Sequence, residues 1–174
     1  MIANSAHLHL ILNHVPIIGL AFATLLLLYS LVRKSTEIAR ASFMMYVLVA
    51  LATIAVYLSG HGAHEIIENL PDVSKPMIEM HEDAALVSLT AMLIVGLAAL
   101  AALIFVRSKP ISRKLAMLVL ALSVLAGASV VYTGSLGGKI HHPELRPGFV
   151  VPPVHSEHPQ SQQLPGHRVQ DAAE

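Results

Sequence analysis

Residues 84–106 read AALVSLTAMLIVGLAALAALIFV, twenty-three positions without a charged side chain. About 20 apolar residues in an α-helix cross the hydrocarbon core of a bilayer, so this stretch predicts a membrane-spanning helix. Working outward, residues 8–32, 43–58 (continuing to about 60) and 115–132 predict three more. The connections are short, so neighbouring spans run antiparallel and a four-helix bundle is expected. Small residues recur in spans two to four (Ala50, Ala52, Ala55, Gly96, Ala98, Ala99, Ala121, Gly127, Ala128) and allow close helix approach where no hydrophobic force drives helices together. The expected fold class is all-α: an integral membrane four-helix bundle over residues 1–142 with an extended, Pro-rich polar tail over residues 143–174. That tail carries six of the ten prolines and cannot build a core of its own.

Composition agrees. Of 174 residues, 55% are hydrophobic and 13% charged, against roughly 25% charged in soluble domains. The formal net charge is zero, which gives no footing for nucleic acid. Cysteine is absent and histidine occurs eleven times. Disulfides, thiolate zinc sites, iron–sulfur clusters and covalently attached haem are thereby excluded; metal chemistry would run through imidazole, carboxylate or thioether.

Charge sets the expected orientation. Arg33, Lys34 and Arg40 fall near the first connection, and Arg107, Lys109, Arg113 and Lys114 near the third. By the positive-inside rule both connections are cytoplasmic, and both termini and the second connection face outward. These basic residues are read as topology determinants and nothing more. The first six residues carry no Lys or Arg, so no signal-peptide n-region is evident. The expected location is a bacterial inner (cytoplasmic) membrane with both termini periplasmic.

With that topology every histidine lies on the outer half. His7, His9 and His14 belong to the outer end of span one, His61 and His64 to that of span two; His81 opens span three, and His141 and His142 follow span four. His155, His158 and His167 are in the tail. His14 would sit roughly 9 Å below Leu8 at the helical rise, too deep for a solvated group, with Asn13 beside it. Pro16 is expected to loosen the backbone and kink the helix through its clash with the Leu12 carbonyl. Tyr57, His61 and His64 share an i, i+4, i+7 stripe if the second helix continues past Gly60.

Two chemistries suit such a set. Imidazoles from facing helices can ligate haem iron axially, without cysteine or a fixed short spacing. The glycines of SGHGAH and YTGSLGGKIHH would then give a flat macrocycle room. Alternatively, imidazoles with Glu65, Glu68, Glu79, Glu82 or Asp83 would bind zinc, copper or iron directly. The leading ligand candidates in either case are His14, His61, His64 and His81. His9 and His141 come next for the cofactor. Met77 and Met80 are a further thioether supply, and His7 is read as solvated.

Residues 9–16, HLILNHVP, have the form H-x4-H-x-P at the outer start of a first span. This resembles a family of small bacterial four-span membrane proteins of unassigned function that are suspected haem binders. Those proteins also carry histidines after the second span and at the start of the third, where His61 or His64, and His81, stand here. Leu10 departs from the pattern, since a proline often follows the first histidine. The resemblance runs from residue 7 to about 142 and supplies no activity.

The functional expectation is a membrane-bound protein holding one or two b-type haems at its outer face. Its role would be electron transfer as a subunit of a larger complex, rather than as a stand-alone enzyme. Its expected partners are the lipid bilayer and other membrane or periplasmic redox proteins, which the C-terminal tail would help to hold. The alternatives are a non-haem metal-binding protein and a structural or assembly subunit without a cofactor.

Overall fold

The computed structural model describes residues 4–71, 73–107 and 109–150. It contains α1 (Ser5–Leu12), α2 (His14–Arg33), α3 (Thr36–Ile67), α4 (Lys75–Phe105) and α5 (Arg113–His141), then a 3-10 turn at Pro143–Leu145. With α1 and α2 taken together as Ser5–Arg33, four helices are long and apolar enough to cross a membrane. Each span packs on the next, and α5 packs back on α2, closing an antiparallel ring. The protein is an all-α four-helix bundle of the membrane-spanning kind. Most of the tail, with His155, His158 and His167, lies outside the described residues.

The helices outrun the apolar windows that announced them. The stretch 43–58 lies within Thr36–Ile67, and 115–132 within Arg113–His141. Hydropathy marks only the length that contacts hydrocarbon, whereas a helix once nucleated adds polar turns at little cost. His61 and His64 are therefore helical residues, His81 lies two turns into α4, and His141 is the last residue of α5. At the opposite end, Lys34 takes a left-handed conformation (φ 53°) and its N–H reaches the Ser30 carbonyl. Ser35 then caps α3, its Oγ accepting from the Ile38 N–H at 3.3 Å.

Large apolar side chains point outward. Phe22, Leu25, Leu48, Leu97 and Leu125 are each more than 60% exposed, a distribution that suits hydrocarbon rather than water. Inside, Phe43, Tyr46, Leu27 and Met92 fill the space that small residues leave. A Cβ at Gly96 would stand 2.5 Å from the Ala50 Cβ, so the glycine sets the approach of α3 to α4. Polar contacts add to this packing. The Ser42 hydroxyl donates to the Ala23 carbonyl across α3 and α2 at 2.8 Å, and Tyr46 donates to Thr24 Oγ1 at 3.2 Å.

Arg40 corrects one expectation. Its Nη2 donates to the carbonyls of Val106 (2.8 Å) and Lys109 (3.0 Å), so it ties the start of α3 to the end of α4. It braces the turn that follows α4, where the Lys109 N–H also donates to the Val106 carbonyl at 3.2 Å, a role beyond topology.

The break between α1 and α2 falls at Asn13. Pro16 has no N–H to offer the Leu12 carbonyl and crowds it, as the sequence predicts. The consequence is positional. Below the break α2 packs on both α3 and α5, whereas α1 rests chiefly on α3. The bundle thus loosens between α1 and α5 at the histidine-bearing end.

A histidine-lined cavity

A cavity of about 490 Å³ occupies that end of the bundle. His9, His14, His61, His64, His81 and His141 all line it, and so does His142. The six candidates, which arrive from all four spans, are brought together around one space. Their local geometry divides them.

His9 and His81 form the inner pair. The Nδ1 of His9 lies 3.1 Å from the Val56 carbonyl and 3.1 Å from Ser59 Oγ, while the Ser59 hydroxyl donates to the same carbonyl at 2.8 Å. The Nδ1 of His81 lies 2.9 Å from the Thr133 carbonyl. A carbonyl can only accept, so in both rings Nδ1 carries the proton and Nε2 presents a lone pair. This arrangement, a backbone carbonyl on one nitrogen and the other left open, orients an imidazole for ligation. The two ring centroids are 6.4 Å apart with planes at 88°.

Glycines make room for both rings. A Cβ at Gly60 would stand 3.3 Å from Cε1 of His9, and one at Gly137 would stand 3.1 Å from Cε1 of His81. These glycines belong to the two stretches read as making space for a macrocycle. Here Gly60 and Gly137 serve first to let α1 and α4 seat an imidazole against the facing helix.

The other histidines are differently placed. His64 has carboxylates at both nitrogens: Glu82 Oε1 at 2.8 Å from Nδ1, and Glu68 Oε2 at 3.6 Å from Nε2. It links α3 to α4 through the hydrogen bond to Glu82 and has no nitrogen left without a carboxylate neighbour. His61 is exposed and lies against Tyr57, ring centroids 5.1 Å apart. The stripe foreseen for Tyr57, His61 and His64 is present, but it ends in different partners. His14 and His141 are exposed at the cavity rim. His14 is exposed on the helix surface, whereas His9, five residues earlier and about 140° around the helix at 3.6 residues per turn, faces the Val56 carbonyl. His142 is held by Glu144, Nδ1 to Oε1 at 2.8 Å. His7 is exposed, and its backbone N–H donates to the Asn4 side chain that caps α1.

Among the described residues no group of three or more His, Asp or Glu side chains is placed to hold a metal ion. Met77, Met80, Glu65, Glu79 and Asp83 do not line the cavity. The supporting residues Val56, Ser59 and Thr133 escape sequence reading because two of the acceptors are backbone carbonyls, which carry no side-chain signature.

No family model, no curated protein and no solved structure matches this chain.

Proposed function

We propose that this chain is a membrane-embedded b-type haem protein that exchanges electrons at the outer face of a bacterial cytoplasmic membrane, as a subunit of a larger assembly. The observation that carries the reading is the His9–His81 pair. Two imidazoles sharing one metal ion would need a metal–nitrogen bond of about 2.1 Å each and roughly half a ring width each. These lengths sum to about 6 Å, close to the 6.4 Å between the ring centroids.

The donor set fits a haem better than a bare ion. A haem would bring most of the iron's donors with it, so the protein would need to offer only two, which His9 and His81 would supply. A bare zinc or copper site takes three or four protein groups, and no such group occurs among the described residues. The cavity, about 490 Å³, lies within the 300–1,000 Å³ typical of cofactor sites. When bound, the haem would supply one-electron exchange. The protein's part is to hold both rings through Val56, Ser59 and Thr133 and to surround the site with apolar side chains. One inward pair of ligands supports one haem rather than two.

The outward placement of the site rests on the basic residues clustered at the other end of the bundle. The redox partner belongs to the same proposal and would dock at the histidine-bearing end, where the exposed His14, His61 and His141 lie.

The test is an absorption spectrum of detergent-purified protein, oxidised and then dithionite-reduced, with metal analysis on the same sample. A sharp reduced α-band and one iron per chain are expected. A colourless, iron-free preparation from cells supplied with haem would sink the reading.

A further inference from the structure

The two halves of the chain repeat one another. A shift of seventy-two residues, which takes His9 to His81, also takes Arg33 at the end of α2 to Phe105 at the end of α4. A shift of seventy-seven takes Thr36 at the start of α3 to Arg113 at the start of α5. The two shifts differ by the extra length of the second basic connection, residues 106–112 against 34–35. Under them every buried residue of α2 falls on a buried residue of α4, and every buried residue of α5 on one of α3. The imidazole seats coincide as well: the Val56 carbonyl and Gly60 beside His9 correspond to the Thr133 carbonyl and Gly137 beside His81. The bundle is thus two helical hairpins, α1–α3 and α4–α5, related by an approximate two-fold axis along its length. The histidine cavity lies on that axis. All its lining residues except His14, Ile17, Ile67 and His142 have an equivalent that lines it too.

Two seams join the halves, α3 against α4 and α5 against α1–α2, and the repeat makes them counterparts. They are not closed alike. Across the first, His64 Nδ1 lies 2.8 Å from Glu82 Oε1, and both side chains are half-buried. The equivalents across the second are His141 and Leu10, both exposed, and a leucine has nothing to hold the imidazole. Tyr57 and His61, on the stripe that leads to His64, are replaced on α5 by Gly134 and Gly138. Pro16 stands at the position of Ser88, so α1 breaks from α2 where α4 runs on unbroken. Each difference takes a contact or bulk away from the same seam.

We infer that the α1–α5 seam is a lateral portal through which the haem of the proposed function enters the cavity from the bilayer. The α3–α4 seam is the same opening closed by the His64–Glu82 clasp. Haem is a flat, largely apolar ring that partitions into lipid, so an entrance through the side of the bundle suits it. The identity of the ligand rests on the haem reading; the portal is a property of the chain and is tested without haem.

Leu10→Cys with His141→Cys puts two thiols across the portal of a chain that has no other cysteine. The full chain, in phosphatidylcholine vesicles, is either bridged with a cleavable bifunctional thiosulfonate or capped with its monofunctional analogue. One variant thereby supplies its own control, and a capped chain with the parent's thermal midpoint shows that the fold is kept. The haem-free readout is photolabelling by trifluoromethyl-phenyldiazirine dissolved in the bilayer, mapped by mass spectrometry. Its carbene inserts into O–H bonds, and Thr53 and Ser88 line the cavity while only 7% and 5% exposed. Labelling of both residues in the capped chain should fall at least fivefold on bridging and return on cleavage. Haem uptake, followed by absorbance, should slow at least tenfold on bridging. Adding Glu82→Leu to the bridged chain should restore both, because it gives the α3–α4 seam the residue of the open one. Labelling that ignores the bridge would overturn the portal, and continued exclusion in Glu82→Leu would overturn the clasp. Labelling that falls while haem uptake keeps its rate would overturn haem entry by this route. A chain that takes up no haem in either form, yet loses its labelling on bridging, defeats the haem reading and keeps the portal.

Discussion

His9 and His81, seventy-two positions apart in the chain, stand with ring centroids 6.4 Å apart and planes at 88°, each with its Nδ1 at a backbone carbonyl of the neighbouring helix. The arrangement assigns one nitrogen of each ring to the fold and leaves the other to the cavity. It predicts a ligand set. His9→Ala and His81→Ala should each abolish the reduced α-band, whereas His14→Ala, His64→Ala and His141→Ala should keep it. Reduced-minus-oxidised spectra of the five variants check this. Retention of the band in His9→Ala together with its loss in His14→Ala would assign the axial role to the rim.

The 88° angle has its own signature. Perpendicular imidazole planes leave two of the iron d-orbitals nearly degenerate, which produces a strongly anisotropic low-spin EPR signal. The oxidised protein should show that signal rather than the three-line spectrum of parallel ligands. Gly137→Ala should alter it, because a Cβ there would press on Cε1 of His81 at 3.1 Å and on Nδ1 at 3.3 Å. The same substitution adds up to about 1 kcal/mol of helix propensity. A changed spectrum without loss of thermal stability is thus expected.

Gly96 faces Ala50 with no room for a side chain, since a Cβ would stand 2.5 Å from the alanine's. Gly96→Leu should separate α3 from α4 and destabilise the bundle by about 1–3 kcal/mol, the usual range for overpacking. Gly127→Ala, where the added Cβ meets only Leu20 Cδ2 at an ordinary 3.7 Å, should not. Thermal unfolding in one detergent distinguishes them.

Arg40 donates to the Val106 and Lys109 carbonyls at 2.8 and 3.0 Å. Hydrogen bonds from charged groups contribute about 1.5–3 kcal/mol. Arg40→Ala should therefore lower stability within that range, and Arg40→Lys should recover only part of the loss because its ammonium stops about one bond short of the Nη2 position and is more strongly hydrated. If Arg40 acted only through topology, Arg40→Lys would be equivalent to the parent.

Orientation can be read directly because the chain has no cysteine. Ser35→Cys and Asn69→Cys place single thiols in the first and second connections. In intact cells a membrane-impermeant maleimide should label position 69 and spare position 35. The reverse pattern would put the histidine cavity on the cytoplasmic side.

Much of the fold was legible in the chain because bilayer thickness acts on sequence directly. A stretch such as 84–106 must be helical and must span, whatever packs beside it, since hydrocarbon offers no other partner for its backbone. The small residues at 50 and 96 carried the close approach of two helices. The interruption between Leu12 and His14 was equally local, a matter of the one N–H missing at Pro16.

The identity of the inner pair was not legible. His14 was the leading candidate of the first span, yet five residues of helix turn it to a different side from His9: His9 meets the Val56 carbonyl and His14 is exposed. His64 looked like a free ligand, but Glu82 arrives from α4 to hold its Nδ1. The sequence by itself determined four spans, their antiparallel order and the gathering of histidines at one end, because hydropathy and covalent order are properties of segments. Only the tertiary structure decided which rings face each other, because that depends on helix rotation, on a break of a single turn, and on acceptors such as the Val56 and Thr133 carbonyls, which no side chain announces.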